Sequence, residues 1–350
     1  MSTQTQPYSG RTGQQLESVP LKIRPFEDSD YAHRVRIANA VYPDRPVSEA
    51  ELRHYDGQAN PDPKYLNRRL VAELEGQVAG LLWYGHYEGM YHPNMLYFSL
   101  SVHPDYRRRG IGSALYAQML EGIAAHDPVQ IGNATFENQP DGIRFLKRRG
   151  FKERMRFWES ALAVSTFDMA PYAGAEAKAA AHGIEIRSES ELESDPDYLR
   201  KLYDMLLEVI ADVPVPEPLT PEPFERFVET RMSDPNRIPE AYFVAVDTRT
   251  GHYAGTTALW RQAGDYLNTG LTGVRRAYRR KGIALALKLR AIRYAKEHGV
   301  ASIRTDNESH NRPMLSINER LGFKRGTSEI AFVKDLENLD KDVANEEQEL

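Results

Sequence analysis

Two short stretches of the chain have the residue types and spacing to hold an anion. Arg107-Arg108-Arg109-Gly110-Ile111-Gly112 and Arg279-Arg280-Lys281-Gly282-Ile283-Ala284 share one layout. Three cations precede a glycine, and a small residue follows two positions later. Ser113 continues the first copy. A β-rich run leads into each (Leu96–Val102; Leu267–Val274), and a helical run leaves each (Ile111–Ala125; Ile283–His298). A strand that enters a helix through such a loop points its backbone N–H groups one way. The first helical turn adds four N–H groups without partners and a partial positive charge. The product is a concave site suited to a pyrophosphate. Gly110 and Gly112, or Gly282 and Ala284, leave room for close approach of the backbone. Arg107 and Arg279 are placed to add charge-assisted bonds to phosphate oxygens. A glycine pair before a helix also occurs in nucleotide sites. Here Leu115 stands where a dinucleotide loop has its third glycine, and the lysine-Ser/Thr pair of a P-loop is absent.

The elements around the loops repeat as well. Arg107 and Arg279 are 172 residues apart, and so are Phe151 and Phe323, which close RRGF and RLGF. Two separate motifs at one offset identify a duplication. Each half opens on a short strand (Leu21–Arg24; Ile184–Arg187) and a helix (Tyr31–Ala40; Tyr198–Ala211). Two strands follow, joined by turns at Glu75-Gly76 and Thr250-Gly251. After the loop and its helix come another strand (Gln130–Phe136; Ser302–Asp306), a short helix and closing strands. Strands alternating with helices, with antiparallel hairpins at the edges, give an α/β fold with a mixed sheet. The expected divisions are a flexible leader 1–20, a first domain 21–165, a linker 166–183, a second domain 184–335 and an acidic tail 336–350. Asp335 to Leu350 holds seven acids against one lysine.

VHPDYRRRGIGSALY and VRRAYRRKGIALALK, together with FLKRRGF and INERLGF, resemble the hallmark motifs of the GNAT superfamily of N-acetyltransferases. The resemblance spans about 21–164 and 184–334, so it implies two tandem GNAT folds. It implies acetyl-CoA, or another acyl-CoA, as co-substrate and a primary amine of a small molecule as acceptor. Backbone groups of Leu100 and Val102, and of Thr272 and Val274, would pair with the pantetheine arm. Residues 107–113 and 279–284 would hold the pyrophosphate. Asn307 and Asn311 either bond coenzyme A or serve as a turn and a helix cap. Asn138 has the same two readings. One strand N–H would polarise the thioester carbonyl. Many members carry a glutamate six residues before the strand's valine and a tyrosine in the FYxxxGF segment. This chain has Leu96 or Asn268 at the first place and Leu146 or Asn318 at the second. The catalytic residues are therefore unassigned. Water relay, or another tyrosine folded into the cleft, would have to move the protons. The alternative is a coenzyme-A-binding sensor or scaffold that has lost catalysis in one half or both.

The remaining features set limits. The chain has 350 residues, 41% of them hydrophobic, and no cysteine, which removes disulfides and cysteine acyl-enzymes. The N-terminus lacks an apolar signal core, and no apolar run reaches membrane length. A net charge of −5 and the lack of aromatic interleaving argue against nucleic acid. The ten histidines show no metal-ligand spacing. The expectation is a cytoplasmic protein, monomer or homodimer, with no metal, nucleic acid or membrane partner. Trp83, Tyr84, Tyr87 and Trp260 fall on the central hairpins, as sheet packing or as acceptor-pocket walls. The Pro-rich Val213–Pro223 and its counterpart Tyr42–Pro46 are either linkers or substrate-gating loops.

Overall fold

The computed structural model describes residues 21–336. The leader, and the tail from 337 onward, lie outside the described residues. The first half runs β1 (Lys22–Pro25), α1 (Tyr31–Val41), α2 (Glu49–Gly57), β2 (Asn67–Leu74), β3 (Gln77–Gly85), β4 (Met95–Val102), α3 (Ile111–Ile123), β5 (Gln130–Phe136), α4 (Pro140–Arg148) and β6 (Lys152–Ala163). The second half follows with α5 (Ala175–Ala180), β7 (Ile184–Ser188), α6 (Glu189–Leu192), α7 (Tyr198–Ile210), α8 (Phe224–Ser233), β8 (Tyr242–Asp247), β9 (Tyr253–Trp260), β10 (Leu267–Thr269), β11 (Gly273–Val274), α9 (Ile283–Glu297), β12 (Ser302–Glu308), α10 (Arg312–Arg320) and β13 (Lys324–Asp335).

Local chemistry accounts for the ends of these elements. Ser48 accepts from the Glu51 backbone N–H at 3.2 Å and starts α2. Ser188 and Glu191 form a reciprocal capping box on α6. The β2–β3 hairpin turns through Glu75 (φ 57°) and Gly76 (φ 73°), the left-handed pair a tight hairpin needs. The prolines of 213–223 keep that stretch out of helix until Phe224. Leu115, Met119, Leu120 and Ile123 cover one side of α3, and Ile283, Ala286, Leu287 and Leu289 cover part of α9. Each helix sits on its own half's strands.

One sheet runs through both halves in the order β1-β2-β3-β4-β5-β13-β6-β12-β10-β9-β8-β7, with β11 paired to β9. Its parallel pairs are β4 with β5 and β10 with β12. The closing strands are exchanged. β13, last in the second half, pairs with β5 of the first from Glu329 opposite Phe136 to Asp335 opposite Gln130. β6, last in the first half, pairs with β12 of the second from Ser302 opposite Ala163 to Glu308 opposite Phe157. The cores follow: Ile330 and Phe332 pack with α3, and Leu162 packs with α9. Each half is thus closed by the other's last strand, not by its own as the sequence suggests.

Two further differences concern local structure. The run expected as one strand over Leu267–Val274 is split into β10 and β11, with Gly270–Thr272 out of register between them. The segment expected as a linker, 166–183, is packed. Phe167 stacks on Tyr172 at 5.7 Å, the Lys296 ammonium donates to the Phe167 carbonyl at 2.6 Å, and Glu176 pairs with Arg290 and Arg293 at 3.0 Å each. Its Tyr172 and Lys178 help to wall the second half's cleft.

Candidate active site

The two parallel strand pairs open like wedges. β4 and β5 pair at Met95–Gln130, Leu96–Ile131 and Tyr97–Gly132 and then part. The Asn133 amide fills the first step of the opening by donating to the Phe98 carbonyl at 2.8 Å. β10 and β12 pair at Leu267–Ile303 and Asn268–Arg304 and then part. In front of each opening lies one Arg/Gly loop, with the same backbone in both copies. Arg108 (φ 62°) and Gly110 (φ 78°) match Arg280 (φ 65°) and Gly282 (φ 80°). A left-handed residue at every second position turns successive N–H groups into one concavity. The left-handed glycine is also the N-cap of the helix that follows. The arginine before each pair braces the loop from behind. Arg107 Nε donates to the Val102 carbonyl at 3.3 Å, and Arg279 Nε donates to the Val274 carbonyl at 3.0 Å.

The first cleft has a volume of about 390 Å³. Leu100, Val102, Arg107, Arg108, Gly110, Ile111, Gly112 and Ser113 all line it. Arg144, Arg148 and Arg149 add cations from α4 and its end. Arg149 donates to Ser113 Oγ at 2.9 Å and stacks on Phe145 at 3.7 Å. Tyr42, at the end of α1, stands in the wall against Phe136 at 5.5 Å, and burial raises its pKa. The second cleft is about 800 Å³ and is lined by Thr272, Val274, Arg279, Arg280, Gly282, Ile283, Ala284 and Asn311. Arg109 and Lys281 face neither cleft. Arg109 pairs with Glu75, and Lys281 lies over Tyr278 at 5.0 Å.

The second wedge holds a further cavity of about 130 Å³, which shares Leu271, Thr272 and Asn311 with the second cleft. Asn307 lines it, and its Oδ1 accepts from Asn318 Nδ2 at 2.6 Å. Asn311 caps α10 by accepting from the Met314 N–H at 3.4 Å. Three ionisable groups stand on this wall: Lys288, Asp306 and Glu308. Lys288 belongs to the buried side of α9, which packs on Ile303 of β12. Side chains alternate along a strand, so Asp306 projects from the opposite face to Ile303 and Thr305. The opening therefore has an amine on one side of the sheet and a carboxylate on the other.

Their surroundings shift both groups toward neutrality. Asp306 is exposed to water yet has protein on several sides. Desolvation pushes it up to about 6, with Arg45 and Arg304 in partial opposition. Lys288 is 3% exposed, and burial brings it down to about 8. Glu308 is already occupied. Burial alone would raise it, but bonds from His310 and Ser309 hold it below its usual range. Sequence reasoning missed Asp306 and Lys288 because neither occupies a position where the family usually carries a base or an acid. At the 172-residue offset their counterparts in the first half are Ala134 and Tyr116. The loops between the first helices reach across the halves. The Asp44 carbonyl accepts from Arg304 at 3.0 Å across the halves, and Arg45 beside it pairs with Glu159 on the first half's own exchanged strand β6. In the other direction the Thr220 N–H donates to the Gly89 carbonyl at 2.8 Å, and Val213 and Pro214 wall the 130 Å³ cavity. Among the described residues no cluster of acids and histidines has the makings of a metal site, and no helix is long and apolar enough to cross a membrane.

Comparison with known proteins agrees with the geometry. Residues 67–153 match the family described as acetyltransferase (GNAT) domain, and residues 203–323 match the acetyltransferase (GNAT) family. The chain is 26% identical over 249 residues to a mycothiol acetyltransferase of Thermobifida fusca, covering 67% of this chain and 72% of that protein. It is 33% identical over 105 residues to an acetyltransferase of Sodalis glossinidius, covering 30% of this chain and 68% of that one. The fold is similar to a tandem GNAT protein from the clavulanic acid biosynthesis pathway, with TM-score 0.69, 20% identity and 91% and 99% of the two chains covered. It is also similar to a GNAT-type N-acetyltransferase from Sphaerobacter thermophilus, with TM-score 0.65, 19% identity and 90% and 96% covered. Two wedges, two left-handed loops and two matched segments lead to one conclusion: the chain belongs to the GNAT acetyltransferase family and is an N-acetyltransferase with one GNAT domain in each half.

Proposed function

We propose that the second half transfers an acetyl group from acetyl-CoA to a primary amine of a small molecule, with Asp306 as general base. The observation that carries this reading is the place of Asp306. Its carboxylate lines the parting of β10 and β12 and has no ion pair among the described residues. The fit to an acyl-CoA rests on the chain's own groups. The loop N–H groups at Arg280–Ala284, with Lys178 beside them, suit a pyrophosphate, and the 130 Å³ cavity suits a short acyl group. The units of the reading are 21–165 and 184–335.

Acetyl-CoA supplies a thioester carbonyl carbon open to a nitrogen nucleophile. Asp306 accepts a proton from the attacking ammonium, which must be neutral to react. A pKa near 6 keeps Asp306 ionised at neutral pH and still basic enough to take that proton. Leu271 and Thr272 line the cavity, and their backbone N–H groups are the strand donors assigned to the developing oxyanion. The loop and the cleft walls hold the reactants in place.

A second reading applies to the first half. Ala134 and Tyr116 stand where the second half has Asp306 and Lys288, yet its loop is intact and its cleft is rich in arginine. That combination favours coenzyme binding without turnover. The test is thiol release from acetyl-CoA against a panel of amines, for the native chain and for Asp306→Asn. Loss of about a hundredfold or more in kcat/KM in the variant is the expected result. Turnover unchanged in Asp306→Asn would remove Asp306 as base, and no turnover with any amine would leave the sensor reading for both halves.

A further inference from the structure

Lys288 is a buried amine for which packing gives no reason. It is 3% exposed. The Phe323 ring centre lies 5.2 Å from its Nζ, and it has no hydrogen bond or ion pair to any described residue. An unpaired buried ammonium is disfavoured by desolvation, and a core position usually takes an apolar residue instead. The first half has Tyr116 at the same place, sealed among Phe98, Phe145 and Phe151. Lys288 instead lines an open cavity. A wall with an unpaired donor beside an empty volume is built for a ligand atom that accepts.

We infer that Lys288 is the catalytic residue that receives the leaving thiolate: its ammonium faces the sulfur across the 130 Å³ cavity and returns a proton to it. The inference rests on the acyl-CoA reading of the second cleft. Asp306 takes a proton from the acceptor nitrogen as that nitrogen bonds to the carbonyl carbon. The carbon–sulfur bond then breaks with its electron pair on sulfur. Lys288 gives one Nζ proton to the sulfur and becomes a neutral amine. Asp306 and Lys288 afterwards return to their starting states by exchange with solvent: counted from the neutral amine no proton is gained or lost, and the proton shed earlier by the entering ammonium leaves through Asp306 to solvent. Acid and base work from opposite faces of the sheet and do not neutralise each other in a direct ion pair. The match in acidity supports the assignment. Burial brings Lys288 down to about 8, close to the roughly 8.5 of an ordinary thiol. The charged groups on the shared wall are Asp306 and Glu308 from β12. The 213–214 loop end, the 270–272 stretch and α10 contribute no ionisable residue to it.

The test reads binding, not turnover. The full-length chain carrying Gly110→Glu, which blocks the first cleft, is titrated by calorimetry with coenzyme A and with desulfo-coenzyme A from pH 6 to 9. Lys288 is native, or replaced by Met or Gln. The expected result is that coenzyme A binds about tenfold tighter than desulfo-coenzyme A near pH 8 and releases a proton on binding. Both differences disappear in Lys288→Met and Lys288→Gln, while the affinity for desulfo-coenzyme A stays the same. If the two ligands keep one affinity ratio and one proton count with and without Lys288, the inference is overturned although the cleft reading stands. If desulfo-coenzyme A itself fails to bind, the cleft reading falls and this inference falls with it.

Discussion

Asp212 and Arg279 clasp each other across the mouth of the second cleft, and Arg276 closes on the same carboxylate with Nε at 3.1 Å from both oxygens. Hydrogen bonds from Arg276 and then Arg279 hold Asp212 down to about 2. The first cleft has no such clasp, because Asp141 approaches Arg107 only to 4.0 Å. In the second cleft, then, a loop arginine is partly neutralised before any phosphate arrives. Asp212→Asn should release it. Coenzyme A affinity of the second cleft should rise several-fold and become more sensitive to salt. Calorimetry at two ionic strengths in the Gly110→Glu background checks this, and unchanged affinity would show that the clasp does not compete with the ligand.

The two loops are expected to act independently. Gly110→Glu and Gly282→Glu each put a carboxylate, and a side chain unsuited to positive φ, where backbone N–H groups should meet phosphate. Each variant should lose the coenzyme site of its own half and keep the other. Calorimetric stoichiometry falling from two sites to one in both variants is the expected outcome. Two sites retained in both would remove the pyrophosphate assignment.

Acid–base chemistry in the second wedge predicts the form of the pH–rate profile. With Asp306 as base and Lys288 as acid, kcat/KM should rise through about pH 6, hold, and fall as Lys288 loses its proton through about pH 8, whatever the acceptor's own pKa. In Asp306→Asn, solvent becomes the proton sink, and the rising limb should depend on the amine's own pKa, near 10 for an alkylamine. Two amines of different pKa separate these cases. A native profile that moves with the amine would return the mechanism to solvent relay.

Lys288 also makes a prediction about stability. Its folded pKa, about 8, lies below the ordinary 10.5. The native state therefore binds this proton less tightly than the unfolded chain does. Unfolding free energy should rise with pH between about 8 and 10.5, and the full penalty is present below 8. Lys288→Met removes the group and should stabilise the fold at pH 7 by about 3 kcal/mol. Denaturant melts of both proteins at pH 7 and pH 10 measure it, and the gap should shrink at the higher pH. An equal gap at both would mean that burial does not perturb this amine.

Phe332 tests the exchange of strands. It lies in β13 of the second half but is 1% exposed within the α3 core of the first. Phe332→Ala should cost about 3–5 kcal/mol. Hydrogen exchange should place the loss in α3 and β5. Loss confined to α9 and β12 would contradict the sheet order.

The parts legible from sequence are those set by local chemistry. β5 spans Gln130–Phe136, the ends expected for it, and α3 and α9 begin at Ile111 and Ile283, just after their glycines. Side-chain type and chain direction suffice there. The exchanged strands were not legible, because the alternation in β13 is the same whichever sheet receives it. The split between β10 and β11 was hidden for a similar reason, since Gly270–Thr272 reads as ordinary strand. Asp306 and Lys288 escaped notice because each gains its role from a partner surface. One side chain lies on β12 and the other on α9, and only the parted strands bring them to a single cavity.

The exchange of β6 and β13 also limits how this chain can have been assembled and how it can be taken apart. Cut out alone, either half would expose a raw sheet edge, at β5 or at β12, and would carry a closing strand with nothing to close. Such a fragment would aggregate or pair with a second copy of itself. The two halves therefore hold together as one cohesive unit. A break in the covalent chain near 166–183 would leave them interlocked, whereas swapping in a single foreign half would not preserve the sheet.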